Sequence, residues 1–291
     1  MKKLTKAPRW RLILAQVKKD KKAYTVFAVL SLLILAVIVR NALLGRWENV
    51  FTGVLASLLL WIPPVVERRL HVDLPTTLEI LAYLFVFSAE ILGEIGNFYV
   101  YFRFWDTMLH TLNGFMFAAF GFCLVDIFNN TKRFRFQLSP VFLAIVAFCF
   151  SMTIGVLWEF FEFGADMLLH TDMQKDTFVT AMHSVSLPND LGQKVTHVTD
   201  IISTTVVTES GEVIVMNGYL DIGIADTVKD LFVNFIGAVV FSTIGYFYVK
   251  HRGKGRLAGQ FIPVFVGDDG TDAEHVLKNE EERTQACENN S

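Results

Sequence analysis

Residues 140–168 read PVFLAIVAFCFSMTIGVLWEFFEFGADML, and this stretch decides the fold. It carries no charged side chain from Pro140 to Trp158, then places Glu159, Glu162 and Asp166 in its last third. A helix rising about 1.5 Å per residue needs roughly 20 residues to cross about 30 Å of hydrocarbon. This segment is long enough, and its composition is that of a membrane span. The acids at its end are what an ordinary span lacks.

Five more stretches have the same character: Tyr24 to Leu44, Val50 to Val66, Leu74 to Ile95, Phe104 to Ile127 and Gly223 to Val249. They predict an all-α polytopic membrane protein of about six transmembrane helices. The 291-residue chain has 53% hydrophobic residues, 27 of them Phe, and a mean hydropathy of +0.43, well above the needs of a water-soluble domain. The net charge of -3 hides an asymmetry, since nine Lys or Arg fall in the first 22 residues and the end of the chain is acidic. Cys123 and Cys149 lie in apolar runs and Cys287 in the polar tail, so neither a disulfide scheme nor a Cys/His metal spacing emerges.

The loop charges orient the helices. With the N-terminus in the cytoplasm, the inner segments hold the N-terminal cations, then Arg68 and Arg69, then Lys132, Arg133 and Arg135, then Lys250, Arg252, Lys254 and Arg256. The outer segments hold only Arg40, Arg46, Arg103, Lys175 and Lys194. This is the positive-inside bias of six spans with both termini cytoplasmic. Residues 1–22 then form a basic leaflet-binding segment rather than a nucleic-acid arm, residues 23–250 the transmembrane domain, and residues 251–291 a flexible cytoplasmic tail. Residues 170–222 form an extracytoplasmic loop, in which Ile201 to Met216, turning at Glu209-Ser210-Gly211-Glu212, predicts a small β-hairpin.

Polar groups interrupt four of the spans. Glu90 and Glu94 lie on the third, Asp106, His110 and Asn113 on the fourth, Glu159, Glu162 and Asp166 on the fifth, and Asp226, Lys229, Asp230 and Asn234 on the sixth. Spacings of three, four, seven and eight put each set on one helix face. In the six-span topology all four stripes fall in the outer half of the bilayer, which predicts one outward-opening acidic cavity. Eight ionised acids facing lipid would cost on the order of 10 to 20 kcal/mol, comparable to the whole stability of a fold at about 5 to 15 kcal/mol. They must therefore face one another, water, protons or a cation.

Carboxylate and imidazole donors suit a divalent metal. The expected ligands are Asp106, His110, Glu159, Glu162, Asp226 and Asp230, with Glu159 or Asp230 as a general base. Glu90, Glu94, Asn113, Asp166, Lys229 and Asn234 complete the polar site, in which the two Asn amides serve as interhelical glue. One divalent ion is the expected cofactor, and the bilayer and a polar head group at the outer leaflet are the expected partners. A proton- or cation-coupled transporter and a non-catalytic scaffold are the alternatives. Gly114, Gly155, Gly164 and Gly237 read as close-packing positions, and His170, His183 and His197 as ordinary surface histidines.

Three segments carry a family resemblance: Trp105-Asp106-Thr107-Met108-Leu109-His110, Trp158-Glu159-Phe160-Phe161-Glu162-Phe163, and Asp226 through Gly237 with Asp230 and Asn234 between. Together they resemble the uncharacterised YjdF-like bacterial inner-membrane proteins over about residues 75 to 250. More distantly they are similar to the VanZ-like proteins linked to teicoplanin resistance. Those have Glu-x-x-Gln and final aspartates three apart, where this chain has Glu-x-x-Glu and a spacing of four. The resemblance implies a bacterial envelope protein with an outward-facing polar site, in a setting of envelope lipid modification or antibiotic resistance, and no established reaction.

Overall fold

The computed structural model describes residues 20–70, 72–130, 138–170, 172–187, 195–251, 260–261 and 264–265. The basic segment up to residue 19, the Lys132-Arg133-Arg135 loop, Lys194, the cations from Arg252 to Arg256, Cys287 and the acidic end of the tail lie outside the described residues.

In chain order the helices are α1 (Lys21–Leu43), α2 (Trp47–Leu59), α3 (Ile62–Leu70), α4 (Thr76–Val86) with a π-helix (Phe87–Ile95) continuing it, α5 (Phe98–Tyr101), α6 (Trp105–Asn130), α7 (Pro140–Leu169) and α8 (Ile224–Lys250). Among the described residues, eight short strands accompany them: β1 (Val72–Asp73), β2 (Thr177–Val179), β3 (Met182–Ser184), β4 (Thr196–Val198), β5 (Ser203–Val207), β6 (Val213–Asn217), β7 (Tyr219–Asp221) and β8 (Val264–Phe265). Among the described residues, five helical stretches are long and apolar enough to cross a membrane: Lys21–Leu43, Trp47–Arg69, Trp105–Val125, Pro140–Leu168 and Ile224–Lys250. The second joins α2 to α3. The expected third span is instead 11 residues of α-helix followed by 9 of π-helix, a departure that hydropathy does not register.

The chain forms two compact units, residues 1–153 with 233–291, and residues 154–232. In the first, α1 starts at Asp20, whose carboxylate accepts from the amides of Lys22 (2.7 Å) and Ala23 (3.2 Å), an N-cap that satisfies donors the helix cannot. It ends before Gly45, at φ +71, the left-handed conformation glycine adopts most cheaply. Ala23, Phe27, Leu30 and Ile34 form one stripe of α1 and pack with Ala56, Leu60, Tyr83 and Ile91. The opposite residues, Leu32, Leu35 and Val39, are exposed, as a lipid-facing surface requires. A second cluster joins Leu78 of α4, Ala118, Ala119 and Phe122 of α6, Leu143 and Ala147 of α7, and Ala238 and Phe241 of α8.

Two glycines set the approach of α6 to α8. A Cβ at Gly114 would overlap the carbonyl oxygen of Asn234, and one at Gly237 that of Thr111; small residues at such a crossing let backbones meet. Gly164 differs from expectation, because a Cβ there meets nothing within 4 Å. The tail also has structure at its start. Phe261 packs on the second cluster and edge-on to Phe115, and β8 pairs with β1 in the register Val72↔Phe265.

In the second unit the predicted hairpin is present as β5 and β6, with Val206 opposite Ile214. Two further antiparallel pairs, β2 with β7 and β3 with β4, extend the extramembrane region beyond the single hairpin expected.

Candidate functional site

The second unit carries its polarity inside out. On α7, Glu159 and Glu162 are buried while Leu157, Phe160, Phe161 and Phe163 are exposed, Phe160 by 67% against 4% for Glu159. On α8, Asp226 and Asp230 are buried, Asp230 to 2% exposure, while Val228 and Phe232 are exposed. Water would reverse this arrangement; a hydrocarbon surround produces it, because the cost of an acid in lipid exceeds the cost of burying it among polar groups.

Residues 172–176 tie the two acidic stripes together. After α7 the backbone turns at His170, φ +57, and runs back, so that Asp166 accepts from the amides of Met173 (2.7 Å) and Gln174 (2.8 Å). The Gln174 side-chain amide then donates to Thr227 Oγ1 of α8 (2.7 Å) and, more weakly, to the Glu159 carbonyl of α7 (3.5 Å). The Lys175 amide donates to Asp226 Oδ2 (3.0 Å). Gly223, at φ +93, lies where any Cβ would collide with Gln174. Asp166, expected in the polar site, therefore acts as a backbone acceptor shaping this return. Gln174 is a residue that helix spacing could not reveal, since it lies on no helix.

Lys229 bridges the α8 carboxylates, with Nζ 2.7 Å from Asp226 Oδ1 and 3.3 Å from Asp230 Oδ1. Glu162 Oε1 accepts from the Trp158 indole (2.8 Å). Desolvation, followed by the charges of Asp172, Asp166 and Asp221, raises the Asp176 carboxyl above its usual range, so the segment beside the stripes sits in a negative field.

The first unit holds the remaining expected residues. Asp106 and His110 face each other one turn apart on α6, 3.4 Å between Oδ1 and Nε2. Asn113 donates to Asn234 Oδ1 (3.2 Å), and Asn234 is almost fully buried, which is the interhelical role expected of them. Glu90 and Glu94 lie on the π-helix, where five-residue hydrogen bonding places them closer to eclipsed than an α-helix would. The Trp105 indole donates to the Ser88 carbonyl (3.2 Å), satisfying an acceptor within that irregular turn.

An uncharacterized protein of Thermotoga maritima is 31% identical over 107 residues, 37% of this chain and 53% of that protein, so the match spans about half the length of the curated relative. No solved structure matches the chain. Apolar helices with acids turned inward describe a multi-span membrane protein, and the match of residues 23–251 places this chain in the predicted membrane protein family DUF2238.

Proposed function

We propose that this is a bacterial plasma-membrane protein that binds one divalent cation at the outer ends of α7 and α8, with Glu159, Glu162, Asp226 and Asp230 as ligands. Through that ion it would recruit the anionic head group of an envelope lipid. The observation that carries the reading is the burial of four carboxylates on two helices whose neighbouring side chains are exposed and apolar. Oxygen-only donors of this kind favour Mg2+, Mn2+ or Ca2+. Like charges gathered in a low-dielectric site need protons or a cation to balance them, and Lys229 contributes one positive charge. The positive-inside reading puts this end of the helices at the external leaflet. Asp106 and His110 are a second pair able to hold a proton or an ion in the first unit. Glu159 or Asp230 would act as the base toward a bound head group.

A scaffold role is the second reading, favoured by the Gln174–Thr227 and Asn113–Asn234 bonds. Elemental analysis separates the two. Full-length protein in detergent, stripped with EDTA and reloaded with Mn2+, is expected to retain about one equivalent, and a folded Glu159→Gln/Asp230→Asn variant none. No retained metal in either protein would leave the scaffold.

A further inference from the structure

The register of the short β3–β4 pair sets His183 opposite His197. Both side chains are exposed while Met182, Ser184, Thr196 and Val198, the alternate positions, are half-buried, so the two imidazoles share the solvent face of the ribbon. Their Nδ1 atoms lie 2.9 Å apart, with ring centroids at 4.8 Å and planes inclined by 61°.

We propose that His183 and His197 form a chelating two-histidine site for a borderline divalent transition metal, Zn2+, Ni2+ or Cu2+. The geometry supports it. A metal held at about 2.0 to 2.1 Å from each imidazole nitrogen subtends an N–metal–N angle of about 90° across a 2.9 Å separation, the cis angle of square-planar and octahedral coordination. Imidazole nitrogen prefers these ions to Mg2+ or Ca2+. Two ligands leave the other positions to water or to an anionic group, which makes this an open site, suited to an exchangeable extracytoplasmic ion rather than a structural one. A hydrogen bond between two exposed imidazoles, by contrast, competes with water and contributes little. The site is separate in donor chemistry from the carboxylates of α7 and α8 and does not rest on the reading given for them.

The test uses the full-length protein in nanodiscs, stripped with EDTA and titrated with Zn2+ by calorimetry. One saturable, histidine-dependent equivalent is expected, weakened at least tenfold in His183→Ala and in His197→Ala alike, because each removes half of the chelate. Equal Zn2+ binding by wild type and both histidine variants would overturn the proposal. Should either variant fold poorly, modification of the wild type by diethylpyrocarbonate gives the same decision by peptide mass: protection of both His183 and His197 by Zn2+ supports the site, and no protection refutes it.

Discussion

The side-chain amide of Gln174 donates to Thr227 Oγ1 at 2.7 Å, so a residue outside every helix holds the start of α8 beside the end of α7. The same amide reaches the Glu159 carbonyl, and its backbone N–H is taken by Asp166. The acidic stripes therefore depend on the return of residues 172–176 for their relative position.

Gln174→Ala should lower stability by about 1 kcal/mol, the usual net worth of one hydrogen bond, and Thr227→Val by a similar amount. Because the two changes remove the same bond, the double variant should cost less than their sum, with a coupling of about 0.5 to 1.5 kcal/mol. Unfolding in mixed detergent micelles measures it; strict additivity would mean that the bond does not hold the helices.

At the α6–α8 crossing, Gly114→Ala and Gly237→Ala should each cost about 1 to 3 kcal/mol, since the new methyl meets a backbone carbonyl that cannot swing aside. Gly164→Ala meets open space and should gain up to about 1 kcal/mol from helix propensity alone. Comparing the midpoints of the three variants checks both halves of this prediction at once.

Asp20 gives a pH prediction outside the spans. Its hydrogen bond from the Thr76 hydroxyl, and then those from the Lys22 and Ala23 amides, hold the carboxyl below its usual range against a smaller opposing effect of burial. A depressed carboxylate stabilises the fold above its unfolded pKa of about 3.9 and loses that contribution as the pH falls toward the folded value. Asp20→Ala should therefore cost about 1 kcal/mol at neutral pH, and the gap from wild type should narrow below about pH 4. A gap that stays constant down to pH 3 would contradict the assignment.

How far these features could be read from the residues varies with their physical origin. Span number two, with Pro63 and Pro64, and the spans around Phe27, Phe122, Phe148 and Phe241 follow from unbroken hydropathy, and the structure contains each of them as helix. The π-helix from Phe87 to Ile95 was hidden because a change of hydrogen-bond step leaves composition untouched. Val206 and Ile214 announced their hairpin by alternation beside a Ser-Gly turn, whereas β2 and β7 pair Thr177 with Asp221, a separation no local pattern encodes. The same limit applied to His183 and His197, which look like unrelated surface residues until the β3–β4 register opposes them. Spacing also identified the face that Asp166 occupies without identifying its partners, the amides of Met173 and Gln174.

The most direct test of the central claim is an anomalous difference map at the manganese edge from crystals of the full-length protein grown with Mn2+. The account predicts a peak about 2.0 to 2.3 Å from carboxylate oxygens of Glu159 and Asp230, with Glu162 and Asp226 completing the shell. A map with no peak among these residues, and Lys229 still bridging Asp226 and Asp230, would contradict it.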